Sequence, residues 1–184
     1  MLGSVATEVA RMAPCAVMTV GGEGEKDPTQ PVRRVLAPVD FSEPAEDALA
    51  VACTMASTYG AELQLVHVLH EVLHPTFYDM GVTRISDLGE DILRNTESAL
   101  RDLHTNVGGC HGTTATCFAL EGHPASEIVQ FSQDHGSDLI VMSTHGLTGV
   151  KHLLMGSTAE KVLAGAECPV LIVKTAGRSL LSQG

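Results

Sequence analysis

Short apolar segments alternate along most of the chain with longer segments in which apolar residues recur at every third or fourth position. The short segments predict buried strands, and the periodic segments predict helices with one apolar face. The first periodic segment begins after Ser42, Glu43 and Pro44, a typical capped helix start, and ends at Gly60. The predicted strands are 32–39, 63–69, 113–120, 138–143 and 169–174, and the later predicted helices are 85–107, 124–135 and about 157–166.

This order of elements, a strand followed by a helix four times and then a fifth strand, predicts an α/β fold. We expect an open, Rossmann-like, five-stranded parallel sheet with helices on both faces. Ligands of such sheets bind outside the carboxyl ends of the strands, where the strand order reverses. The residues that follow the first strand, Asp40 to Ser42, and the fourth strand, 143–149, are therefore the expected location of a site.

The first twenty residues resemble the end of the same chain. Residues 3–20 align without gaps onto 156–173 at a constant offset of 153, and eight of the eighteen positions are identical. We expect 1–20 to be a partial copy of the last helix and strand, followed by a linker at 21–31, a domain at 32–174 and a tail at 175–184. The alternative is a chance similarity of two Ala- and Val-rich segments.

Amino-acid composition limits the binding partners and the cellular compartment that we expect. The 184 residues include 22 Asp and Glu against 11 Lys and Arg, a net charge of −11, which argues against binding to nucleic acid or to an anionic membrane. No apolar run approaches the length of a membrane span, so we expect a cytoplasmic protein. The five cysteines are odd in number and form no CxxC pair, which predicts reduced thiols. They are Cys15, Cys53, Cys110, Cys117 and Cys168.

The most specific stretch is the glycine-containing segment after the fourth strand. Gly146 and Gly149 lie in the predicted loop, and Gly156 precedes Ser157 and Thr158 at a predicted helix start. Glycines let backbone N–H groups approach an anion, and a helix N-terminus favours negative charge, so the stretch predicts a phosphate site. The string matches neither the P-loop nor the dinucleotide-binding pattern. Plain turn glycines and a plain helix cap are the alternative interpretation.

Two strings together carry a family resemblance, VLAPVDFSEPAEDAL near the start and MSTHGLTGVKHLLMGSTAEKVLAGAECPVLIVK near the end. Over about residues 34–174, the chain resembles the nucleotide-binding type of universal stress protein. That type carries a glycine, two residues, a second glycine, nine residues, and then Gly-Ser or Gly-Thr. Here Gly146 and Gly156-Ser157 match the later parts, and Ser143 stands in place of the first glycine.

The resemblance implies an adenine-nucleotide alpha-hydrolase-like fold with ATP, with or without Mg²⁺, at the carboxyl ends of the strands. Adenine and ribose would lie beside the ends of the first, second and fourth strands, and the phosphates beside the glycine loop and turn. The residues assigned to the nucleotide are Pro38, Val39, Asp40, Val68, Met142, Ser143, His145, Gly146, Gly149, Gly156, Ser157 and Thr158.

Several polar residues near this site have more than one interpretation. Asp40 can cap the first helix, contact the ribose, or do both. No neighbour completes a catalytic triad with His145, so contact with phosphate or solvent is the expectation for that residue. A metal set is disfavoured for His67, His70 and His74, since successive strand residues alternate faces. Lys151 and His152 are the cations placed to help an anion.

The expected function is that of an ATP-binding, dimeric stress-response or signalling module. The alternatives are an interaction module without nucleotide and a slow ATPase; no other enzymatic activity is expected. The resemblance implies a homodimer through the last strand, and the N-terminal strand could pair with that strand in the same chain or be swapped between chains. The two segments are Val170, Leu171, Ile172 and Val173, and Ala16, Val17, Met18, Thr19 and Val20.

Overall fold

The structure is a computed structural model that describes residues 4–20, 31–70, 91–144 and 155–174. Its helices are α1 (Ser4–Met12), α2 (Glu43–Tyr59), α3 (Asp91–Asn106), α4 (Pro124–Asp134) and α5 (Ser157–Gly165). Its strands are β1 (Val17–Thr19), β2 (Arg34–Pro38), β3 (Glu62–Leu69), β4 (Ala115–Glu121), β5 (Leu139–Ser143) and β6 (Val170–Val173). None of the helices among these residues is long and apolar enough to cross a membrane.

The strands form one sheet in the order β1-β6-β5-β2-β3-β4. Strands β2 to β6 are mutually parallel, which confirms the predicted five-stranded parallel sheet. The sheet has a sixth strand that the fold prediction did not include. Strand β1 pairs antiparallel with β6, with Val17 opposite Ile172 and Thr19 opposite Val170. It covers an edge of β6 that the five parallel strands leave without a partner.

Local sequence explains where α2 begins and ends. The Ser42 hydroxyl accepts a hydrogen bond from the Ala45 N–H at 3.4 Å, and Pro44 lies in the first turn, where its missing N–H costs nothing. Gly60 ends the helix in the left-handed region, at φ 63°, and its N–H donates to the Ser57 carbonyl. Both ends agree with the sequence prediction.

Apolar cores lie on both faces of the sheet, because alternate strand residues point in opposite directions. Val35 and Ala37 face α2 and α3, while Leu36 between them faces α1, α4 and α5. The predicted arrangement of helices on both faces is therefore confirmed. Fully buried side chains that define the two cores include Leu49, Leu63, Leu65, Leu100, Ile140, Val162 and Ile172.

Besides the pairing of β1 with β6, side-chain contacts hold the N-terminal helix and strand to the end of the domain. Ala10 of α1 is fully buried in the same core as α5. The Lys174 ammonium donates to the Arg11 carbonyl at 2.6 Å, and burial lowers the pKa of that lysine. The Thr19 hydroxyl donates to the Val170 carbonyl at 3.2 Å. The remaining surface of α1 is open to solvent, with Val5 and Met12 exposed.

The expectation that all five thiols are reduced is wrong for one pair. Cys53 and Cys110 form a disulfide that joins α2 to the segment between α3 and β4. The two residues are 57 positions apart, but their Cα atoms lie 5.1 Å apart in the fold. Sequence spacing gave no sign of this pair, because packing of α3 beside α2 creates the proximity. Cys15, Cys117 and Cys168 lie outside this disulfide and keep their thiols.

Candidate functional site

A cleft of about 500 Å³ opens at the carboxyl ends of β2, β3 and β5. This position lies beside the neighbours β2 and β5, where the strand order reverses: the chain runs from β2 to β3 on one side and from β5 to β6 on the other. Ligands of α/β folds bind at such a place. Three predicted site residues, His145, Gly146 and Gly149, lie outside the described residues, as do His74, Lys151 and His152. The cleft brings together the other predicted site residues, which are Pro38, Val39, Asp40, Val68, Met142, Ser143, Gly156, Ser157 and Thr158.

The turn after β2 places a carboxylate at the mouth of the cleft. One carboxylate oxygen of Asp40 accepts from the Ser42 N–H at 3.1 Å and from the Ser42 hydroxyl at 2.5 Å. Ser42 is the residue that caps α2, so Asp40 acts on the helix start by orienting the cap. Between them, Phe41 has a positive φ of 60°, an uncommon conformation for a bulky residue. This tight turn directs Asp40 toward the cleft.

The end of β3 forms a second wall, and its histidines have separate surroundings. His67 Nδ1 lies 2.7 Å from the Val39 carbonyl oxygen, and because a carbonyl only accepts, Nδ1 carries the hydrogen. The His67 ring packs on Phe41 with ring centres 4.9 Å apart. The His70 ring instead contacts His123, with ring centres 5.1 Å apart. Both His67 and His70 line the cleft.

The end of β5 and the start of α5 form the opposite wall. The Gly156 N–H donates to the Thr144 carbonyl at 2.7 Å, which holds the helix start against the strand end. Gly156 has φ −62°, so its backbone does not need a glycine, but a Cβ there would lie 3.1 Å from the Thr144 oxygen. Close approach is therefore the reason for glycine at this position. No side chain caps α5 at Gly156, and the first N–H groups of a helix have no partner within the helix.

The charge of the described cleft is low. Among the described lining residues, Asp40 supplies the carboxylate, and there is no lysine or arginine. An anion in this part of the cleft would meet the backbone amides of α5 and the hydroxyls of Ser157 and Thr158 rather than a basic side chain.

Several residues that line the cleft were not predicted from the sequence. Pro124 and Ile128 come from α4, which follows β4, and Leu69 and Thr144 lie at the ends of β3 and β5. Their position in the chain could have predicted them, because each of these residues ends or follows a parallel strand at the same edge of the sheet. The sequence prediction applied that rule to the ends of the first and fourth predicted strands, but not to α4 behind β4.

Comparison with known proteins places the chain in a family. Residues 31–174 match the model of the universal stress protein family. Universal stress protein MJ0531 of Methanocaldococcus jannaschii is 33% identical over 143 residues, covering 77% of this chain and 82% of that protein. The chain therefore belongs to the universal stress protein family, as the resemblance predicted.

Solved structures agree with this assignment. The structure of hypothetical protein MJ0577 of the same archaeon is 28% identical with a TM-score of 0.66, and the match covers 81% of this chain and all of that one. A universal stress protein in complex with cAMP has the same fold at 19% identity and a TM-score of 0.56, covering 78% of this chain and 98% of that one.

Longer relatives match more of this chain. Universal stress protein Rv2623 of Mycobacterium tuberculosis is 26% identical over 174 residues, which is 95% of this chain but only 56% of that protein. Coverage this high extends the alignment into residues 1–20. The chain thus spans a little over half the length of this relative, and the matched part includes β1.

Proposed function

We propose that this chain binds an adenine nucleotide, ATP with or without Mg²⁺, and acts as a nucleotide-dependent dimeric module in stress response or signalling. The observation that carries the proposal is the cleft itself. One wall is apolar, the mouth holds a carboxylate, and the N-terminus of α5 forms the far side. A nucleotide has a flat apolar base, a ribose with two hydroxyls and an anionic phosphate chain, in that order.

The base fits the apolar part of the cleft. Val68, Ile128 and Met142 are buried side chains of β3, α4 and β5 that line the cleft and belong to the same apolar core. Burying an aromatic base against such a surface contributes roughly 25 cal/mol for each Å² removed from water. The cleft volume of about 500 Å³ is within the range of small-molecule sites.

The ribose and phosphates fit the polar parts. Asp40 lines the cleft, and an ionised carboxylate has several acceptor positions, so Asp40 can accept hydrogen bonds from ribose hydroxyls while it holds Ser42. The amides of Ser157 and Thr158 would receive phosphate oxygens at the positive end of the α5 dipole. In this proposal, Ser143 offers a hydroxyl beside the same helix start, where it lines the cleft.

The binding proposal is tested by thermal unfolding with millimolar ATP and Mg²⁺. Ligand at about 100 times its dissociation constant adds about 2.7 kcal/mol, which for a chain of this size raises Tm by roughly 5–10 °C. Gly156→Ala should weaken the affinity for ATP at least tenfold, because the added Cβ pushes the Thr144 carbonyl away from the helix start.

Gly108→Ala is the matched control, since no atom lies within 4 Å of the Cβ it adds. This variant should keep the full ATP shift. Absence of any shift in the unsubstituted chain would contradict the proposal and favour an interaction module without nucleotide.

The dimer proposal concerns β1 and β6. Strand β1 occupies the outer edge of β6, the strand through which the family resemblance implies dimerisation. We propose that residues 1–20 control assembly, either by covering β6 within one chain or by exchange between two chains. Removing residues 1–28 should then change the oligomer mass in solution, toward a dimer in the first case and toward a monomer in the second. An unchanged mass together with an unchanged Tm would contradict control of assembly by this segment.

A further inference from the structure

A second group of ligating side chains lies on the face of the sheet that carries α2 and α3, and it shares no residue with the cleft. Cys53 lies on α2, His104 on α3, and Cys110 between α3 and β4. One ligand atom from each of the three lies within 4.8 Å of the other two. Both sulfurs are buried, while His104 is half-buried and connects the group to the surface.

We propose that this group is a redox-controlled metal site: reduced Cys53 and Cys110, together with His104, bind a thiophilic divalent cation of the Zn²⁺ class, and the Cys53–Cys110 disulfide is the metal-free form. Two thiolates, one imidazole and a water complete the four-coordinate shell that Zn²⁺ prefers. Ligand atoms in such a shell lie roughly 3.5–3.8 Å apart, given Zn–S and Zn–N bonds of about 2.3 and 2.0 Å. Loading therefore needs side-chain shifts of about 1 Å once the S–S bond is open.

Hydrogen bonding around His104 selects the nitrogen that would bind. The Thr113 hydroxyl donates its single hydrogen to the Cys110 carbonyl at 2.7 Å. It therefore accepts in its contact with His104 Nε2, 3.0 Å away, so Nε2 carries the imidazole hydrogen. Nδ1 of the neutral ring keeps its lone pair for a cation. Thr113 is thus a positioning residue that links the His104 ring to the backbone of Cys110.

The two forms of the site exclude each other. In the disulfide, each sulfur is bonded to the other and neither is a thiolate. A dithiol reductant supplies two electrons and two protons, breaks the S–S bond to give two thiols, and itself becomes a disulfide. The two thiols then release their protons as the cation binds. In the reverse direction, a small-molecule disulfide takes two electrons from the two thiolates and two protons from water and is reduced to two thiols, the Cys53–Cys110 bond forms again, and the cation is released.

Cobalt is the probe for this site. The full chain is reduced with a dithiol, freed of reductant without oxygen, and titrated with Co²⁺. We expect one Co²⁺ per chain, with thiolate-to-cobalt absorption in the near ultraviolet and the visible bands of tetrahedral Co²⁺, all lost on adding Zn²⁺. The oxidised chain should show none of these bands. This comparison uses one unaltered polypeptide, so it does not depend on whether a variant folds.

Single substitutions test which residues bind the metal ion. Cys53→Ser should abolish the thiolate absorption, and His104→Ala should weaken the affinity for Co²⁺ at least tenfold. Thr113→Val should weaken the affinity for Co²⁺ about 10–100-fold while leaving the positions of the absorption bands unchanged, as expected for a residue that orients a ligand. Cys117→Ser and Cys15→Ser, which change free cysteines, should bind as the original chain does. Reduced chain without thiolate–cobalt absorption, or full absorption in Cys53→Ser, would overturn the proposal.

Discussion

Residues 3–20 and 156–173 have related sequences and form the same local structure, yet they occupy different environments. Each contains a nine-residue helix followed by a short strand, α1 with β1 and α5 with β6. The helix α5 begins at the cleft, and β6 is buried along its whole length. The helix α1 is largely exposed, and β1 is an edge strand with one buried residue, Thr19.

Identical residues make the contrast clear. Val9 and Val162 are equivalent by the offset of 153, but Val9 is 52% exposed and Val162 is fully buried. Thr19 and Ile172 are also equivalent by this offset, but here the residues differ: a threonine of the edge strand takes the place of a fully buried isoleucine. A similar local pattern therefore produces the same helix and strand, while the position of each in the sheet decides burial and contact with the cleft. The following variants test this difference in matched pairs.

The strand pair should show the largest difference. Ile172→Ala removes fully buried methyl groups from the centre of β6 and should lower the free energy of unfolding by about 2–5 kcal/mol. Thr19→Ala removes one hydrogen bond, from the Thr19 hydroxyl to the Val170 carbonyl, and should cost about 1 kcal/mol. Urea unfolding of both variants compares the two losses in the free energy of unfolding. Equal losses would show that β1 contributes as much to the stability of the fold as β6.

The helix pair tests the same point with one substitution at two places. Val162→Ala should lower the free energy of unfolding by about 2 kcal/mol, from two lost carbon groups and the cavity they leave. Val9→Ala should stay within about 0.5 kcal/mol of the original chain, because half of that side chain is already in water. A loss at Val9 as large as that at Val162 would mean that α1 is covered in solution.

The link between the two units should show the smallest effect. Lys174→Met removes the hydrogen bond to the Arg11 carbonyl at the end of α1 and should cost about 0.5–1 kcal/mol. Lys161→Met, at an exposed position of α5, is the control and should have no effect beyond error. Amide hydrogen exchange should show faster exchange in α1 for Lys174→Met alone; unchanged exchange would show that Ala10 and β1 suffice to hold the helix.

Much of the fold could be predicted from sequence because its signals are local. The ends of α2 follow from the capping residue Ser42 and from Gly60, and burial of β5 follows from its unbroken apolar run. The nine described site residues share one cleft because parallel strands end at one edge of the sheet. Pairing of the N-terminal strand with the last strand was expected from the repeat, but local patterns did not predict features that depend on packing. These are the antiparallel direction of β1, Ile128 in the cleft wall and the Cys53–Cys110 disulfide.

We propose that the start of α5, unlike the exposed α1, helps to form an adenine-nucleotide site. Isothermal titration of the full chain with ATP and Mg²⁺ tests this claim most directly. We expect saturable heat with one ATP per chain, an affinity at least tenfold weaker in Gly156→Ala, and an affinity in Val9→Ala equal to that of the original chain. No heat at millimolar ATP, or equal affinity in the original chain and Gly156→Ala, would contradict it.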